Sequence, residues 1–98
     1  MSESRRRLEQ AGYTLEPSRA GKHFWREPGT GRRVLEDRAI EAVWREEARQ
    51  LEEWGWVRVE VEGDTFWRRP SSGHLYPRGA AYDVLMRIVR RMEGEGQR

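Results

Sequence analysis

Residues 24–31 read Phe24-Trp25-Arg26-Glu27-Pro28-Gly29-Thr30-Gly31, and residues 66–73 read Phe66-Trp67-Arg68-Arg69-Pro70-Ser71-Ser72-Gly73. Five of the eight positions are identical, and one pair is Trp, a rare residue. Upstream, Leu8-Glu9 stands against Leu51-Glu52 and Gly12 against Gly55; downstream, Ala39 stands against Ala81. The offset is 43 between Gly12 and Gly55 and 42 between Phe24 and Phe66, so one residue is gained or lost near the first strand or its turn. Nine identities at a nearly constant offset mark an internal duplication, with copies at about 8–45 and 51–92.

Each copy follows one grammar. A helix stops at a glycine, Gly12 or Gly55, the usual residue just past a helix C-terminus. A strand follows, over 13–16 or 56–62. In the second copy Val57, Val59 and Val61 alternate with Arg58, Glu60 and Glu62, the pattern of a half-buried strand. A turn at Gly21 or Gly63-Asp64 leads to a strand holding Phe24-Trp25 or Phe66-Trp67. The Pro- and Gly-rich segments after it are tight turns. A short third strand, 33–35 or 74–76, closes a β-meander.

Two helices with clear apolar stripes complete the copies. Ile40, Val43, Trp44, Ala48, Leu51 and Trp54 share one face of the first, with Asp37 placed to cap it. Ala81, Val84, Leu85, Ile88, Val89 and Met92 share one face of the second. A shorter helix over 4–11 opens the chain, and the polar tail 93–98 is expected to fray. The reading is α+β: two tandem repeats of a three-stranded antiparallel meander plus helix, preceded by a short N-terminal helix. Two copies are too few for a solenoid, so they are expected to pair through a pseudo-two-fold into one domain, 1–98.

Composition narrows the function classes. The chain is 36% hydrophobic and 37% charged, and its five Trp, three Tyr and two Phe concentrate apolar area in large rings. All but one of its 19 basic residues are Arg, whose planar fork suits carboxylates, phosphates and aromatic faces. The net charge is only +2, so any phosphate-binding surface depends on where the cations cluster. The absence of cysteine excludes disulfides, thiolate metal sites and cysteine nucleophiles. Two histidines make no metal set, and no cofactor is expected. No Gly-rich phosphate loop or serine-centred elbow is present. With no apolar run long enough to span a bilayer and no signal-peptide pattern, the sequence predicts a soluble, cytoplasmic protein.

The cations do cluster. Residues 19–34 hold Arg19, Lys22, Arg26, Arg32 and Arg33, with His23, against the single acid Glu27, and embed Phe24-Trp25 among them. Cations on two adjacent strands can follow a phosphate backbone, and an exposed Trp25 can stack on a base. The alternative is that one of Phe24 and Trp25 is core, because successive strand residues face opposite sides, and that the arginines are solvated.

Helix, Leu8-Glu9-Gln10-Ala11-Gly12-Tyr13, strand, Gly21-Lys22-His23, aromatic, Pro28, then Gly31-Arg32-Arg33-Val34 resembles the small HicA-type mRNA-interferase toxins. That resemblance, over roughly residues 4–35, implies a double-stranded-RNA-binding-domain-like fold and a catalytic role for His23 in RNA cleavage. Lys22, Arg32 and Arg33 are the residue types that would stabilise the phosphorane. Thr65 stands where the second copy would need its histidine, so such chemistry would belong to the first copy alone. A meander followed by a helix also resembles plant ethylene-response and integrase-type DNA-binding domains. The expected function is therefore nucleic-acid binding, RNA slightly favoured over DNA, without catalysis unless a ribonuclease activity survives on His23. The alternative is a protein-interaction module docking through Trp and Arg, the favoured anchors of interfaces.

Overall fold

The computed structural model describes residues 2–17 and 21–96. Element order is α1 (Glu3–Gln10), β1 (Thr14–Leu15), β2 (Phe24–Arg26), β3 (Arg33–Leu35), α2 (Glu36–Glu53), β4 (Val57–Val61), β5 (Asp64–Arg68), β6 (Leu75–Pro77) and α3 (Arg78–Gly96). The fold is α+β, with two antiparallel meanders of the same strand order, β1-β2-β3 and β4-β5-β6, each running into a helix. The chain divides into two compact units, Met1–Glu46 and Glu47–Arg98, so the boundary falls inside α2.

Most of the nine repeated identities occupy matching structural positions in the two units. At the end of α1, Gly12 N–H donates to the Glu9 carbonyl and Tyr13 N–H to the Leu8 carbonyl, both at 3.0 Å. At the end of α2, Gly55 N–H donates to Glu52 and Trp56 N–H to Leu51, again at 3.0 Å. This is the Schellman stop, which needs a left-handed residue where Gly12 (φ 95°) and Gly55 (φ 86°) stand. A Cβ on Gly12 would lie 3.2 Å from Pro28 Cβ, and one on Gly55 3.9 Å from Pro70 Cβ, so each helix stop packs on the proline of its own hairpin. Gly12→Ala is accordingly expected to cost about 1–2 kcal/mol and Gly55→Ala less, from strain at positive φ plus crowding. Equal midpoint shifts for the two variants in urea would contradict that order.

The second hairpin is also built alike in both units. Glu27 N–H donates to Arg32 O (2.8 Å) and Gly31 N–H to Glu27 O (2.9 Å); Arg69 N–H donates to His74 O (2.9 Å) and Gly73 N–H to Arg69 O (2.8 Å). The extra residue of the first copy lies in its first hairpin. There β1 has two residues and eight residues of sequence stand between it and β2, whereas Glu62 (φ 50°) and Gly63 (φ 83°) form a tight two-residue turn between β4 and β5.

Each unit has its own apolar cluster, where chain length argued for a single core. Leu8, Trp25, Ala39 and Val43 form one; Leu51, Trp56, Trp67, Ala81 and Leu85 form the other. The small side chains of Ala39 and Ala81, fully buried, let each helix approach the Trp of its sheet.

Several expectations are corrected. Val57, Val59 and Val61 do not face the core. Trp56 is buried, and strand alternation puts Arg58 and Glu60 on its side, leaving the valines on the open face with Phe66 and Leu75. α2 begins at Glu36 rather than after a cap at Asp37, because Glu36 N–H still bonds the carbonyl of His23 (3.0 Å) and the strand passes straight into the helix. Trp44 is half-buried, and Trp54 and Met92 are exposed. α3 runs to Gly96; of the tail 93–98 that the sequence expects to fray, residues 97–98 lie outside the described residues.

Candidate nucleic-acid interface

The first sheet presents one open face and one covered face. Register pairs Phe24 with Leu35, Trp25 with Val34 and Arg26 with Arg33, so Phe24, Arg26, Arg33 and Leu35 share a face while Trp25 and Val34 share the other. Of the aromatic pair, Trp25 is the core residue, 0% exposed, and its ring cannot stack on a base. Trp outcompetes Phe for the covered side because its ring removes more area from water and its N–H finds a partner there. Trp25 Nε1–H donates to Glu36 Oε1 at 2.9 Å, and Arg5 Nε–H donates to the same oxygen at 2.9 Å. Burial raises the pKa of Glu36, but the bonds from Trp25 and Arg5, with the charges of Arg5 and His23, outweigh it and hold the carboxyl below its ordinary value.

The cations of the open face sit among carboxylates. Glu16, at the end of β1, receives Arg26 Nε on one oxygen and Arg33 Nε on the other, the latter at 3.0 Å. Arg26 also donates to the Gly31 carbonyl at 3.1 Å. The Arg33 guanidinium carbon lies 3.8 Å from the centre of the Phe24 ring, over its face, a cation–π contact on the open side. Arg32, with a side chain 76% exposed, reaches Glu27 at 3.7 Å. Lys22 is exposed at the start of the same strand pair. Arg19 lies outside the described residues. Lys22, Arg26, Arg32 and Arg33 thus share the hairpin with Glu16 and Glu27, an arrangement milder than a bare cationic stripe.

His23 is half-buried and stands at the other end of the hairpin from Arg32. Its carbonyl bonds Glu36, whereas Glu27 bonds Arg32. Four residue steps of strand, about 13 Å, separate the two levels. His23 is therefore not gathered with Arg32 and Arg33. In the second unit the positions of His23 and Glu36 hold Thr65 and Arg78, and Arg78 donates to Thr65 Oγ1 at 3.0 Å. The pair is rebuilt with different chemistry.

Sequence reasoning missed two features. Arg7 and Glu47 are buried charges; Arg7 pairs with Glu3 at 3.4 Å. The second unit also has a half-open groove of about 360 Å³ lined by Trp54, Trp56, Arg69, Leu85, Arg91 and Met92 among others. Arg69 Nε is buried with no hydrogen-bond partner among the described residues, and Trp54 is 43% exposed. Only the spacing of Trp54, Leu85 and Met92 on helix faces hinted at it. Among the described residues no three metal-ligating side chains come together, and no helix is long and apolar enough to cross a membrane. No family model, no curated protein and no solved structure matches this chain.

Proposed function

We propose that this protein binds nucleic acid through the open face of its first sheet, with RNA slightly favoured over DNA and an ancestry akin to the HicA-type toxins. The observation that carries the reading is the register pair Arg26–Arg33 on the open face of the sheet, with Arg32 exposed at one end of the hairpin and Lys22 exposed at the other. Exposed ion pairs such as those to Glu16 and Glu27 are worth only about 0–1 kcal/mol each, so a phosphate can replace the carboxylate at little cost. The Arg33 guanidinium, held over the Phe24 ring, offers a planar group on which an unstacked base can lie, and this favours looped RNA over duplex DNA.

Fluorescence anisotropy with short RNA and DNA hairpins tests it. Binding is expected to be weak and steeply salt-dependent. Arg32→Gln with Arg33→Gln is expected to lower affinity and to reduce the slope of log affinity against log salt by up to about two. His23→Ala is expected to leave binding nearly intact. No binding at low salt overturns the proposal.

The groove of the second unit favours a second reading, a protein-docking module. Trp and Arg dominate interface hot spots, and here Trp54 stands beside Arg69 and Arg91 over an apolar floor. Its natural guest is a segment carrying an apolar anchor next to an acidic side chain. Such binding would change little with salt and would be lost in Trp54→Ala.

A further inference from the structure

We infer that β4 is a self-pairing edge, through which two copies of this chain join their second sheets into one of six antiparallel strands. Of the four sheet edges, β4 is the one that neither shortness nor proline closes, and its two charges leave it open only to a partner of complementary order. β1 has two residues, β3 three, and β6 three with Pro77 among them. Short edges and edge prolines are the usual defences against pairing. β4 has five residues, no proline, and a one-to-one register with β5 from Val57–Arg68 to Val61–Asp64, hence no bulge. α3 packs over β5 and β6 and leaves β4 uncovered.

The hydrogen-bonding phase of this edge follows from its turn. In a two-residue hairpin the flanking residues, Val61 and Asp64, form a hydrogen-bonded pair, and such pairs alternate along the ladder. Val57, Val59 and Val61 therefore spend their N–H and C=O groups on β5. Those of Arg58 and Glu60 point outward, free to pair.

The sequence of the strand then selects its partner. Val57-Arg58-Val59-Glu60-Val61 is a charge palindrome. Antiparallel pairing about a two-fold at Val59 sets Arg58 opposite Glu60 of the second copy, and Glu60 opposite its Arg58. These are the residues whose backbone groups point outward, so phase and charge agree on one register. A slip of two residues would break the charge match, and a slip of one would break the face match. On the other face Val59 meets its own copy and Val57 meets Val61. That contact covers part of an aliphatic surface now open to solvent, where Val57 is 53% exposed. Within one chain Arg58 and Glu60 are no closer than 4.0 Å, and both side chains are more than half exposed.

Sedimentation velocity on the full chain tests the inference with four proteins: wild type, Arg58→Glu, Glu60→Arg, and the double exchange. The wild type is expected to dimerise with concentration. Each single exchange puts like charges opposite one another twice and is expected to weaken the dimer at least about tenfold. The double exchange restores the complementary order and is expected to return the affinity to near wild type. A wild type that stays monomeric up to about 1 mM overturns the inference. So does a dimer that all four chains form equally.

Discussion

Trp25→Ala is expected to destabilise the first unit by about 3–5 kcal/mol, the cost of removing a fully buried Trp from a core. Folded domains hold roughly 0.05–0.15 kcal/mol per residue, so a loss of this size is comparable to the whole stability of so small a unit. The expected outcome is loss of the amide dispersion of residues 2–46 in NMR spectra of the full chain. Dispersion like that of wild type would show that the cluster of Leu8, Trp25, Ala39 and Val43 does not hold the unit together.

Trp25→Phe separates packing from hydrogen bonding. Glu36 loses the indole donor and keeps Arg5. Because the folded carboxyl titrates below its ordinary value, it contributes stability above the unfolded pKa of about 4.3, and that contribution disappears as pH falls through the lower folded value. The difference in stability between wild type and Trp25→Phe is therefore expected to be larger at neutral pH and to shrink below about pH 4. A difference constant with pH would exclude the bond to Glu36 as its source.

Leu85→Ala carries the second large effect, about 2–5 kcal/mol. Leu85 is 1% exposed and packs among Leu51, Trp56, Trp67 and Ala81 in the second cluster. Truncation leaves a cavity that the rigid indoles cannot collapse to fill, which pushes the cost toward the upper part of that range. Val61→Ala serves as the contrast. Although β4 has the more regular apolar alternation, Val61 is on the open face, and its loss is expected to stay within about 0.5 kcal/mol. Urea denaturation monitored by Trp fluorescence measures both. Comparable shifts for Leu85→Ala and Val61→Ala would mean that the two faces of the second sheet have been exchanged.

Local chemistry made much of this molecule legible in its sequence. The glycines at 12 and 55 stop their helices by a backbone requirement that involves only the preceding turn and the next residue. The Pro-to-Gly hairpins close within six residues. The apolar stripes of α2 and α3 follow from helical period. A duplication then doubles the evidence, because a residue kept in both copies, such as Ala39 and Ala81, is one the shared geometry demands.

The faces were a different matter. Alternation along a strand fixes which residues share a side and leaves open which side is covered. Val57, Val59 and Val61 form the better pattern, yet Trp56 and Trp67 claim the covered face, because a helix lies on one side only and the indoles remove more area from water. The same competition put Trp25 inside and Phe24 outside. The candidate site was legible as a list of cations and not as an electrostatic surface. Glu16 is some ten residues from Arg26 and seventeen from Arg33 in sequence, and only the antiparallel register brings its two oxygens between them. The groove of the second unit likewise gathers Trp54, Arg69 and Arg91 from a helix end, a turn and another helix. Contacts within a turn are dictated by the residues that make the turn; contacts between strands and helices depend on which of several buriable faces wins, and that choice is made by the whole unit at once.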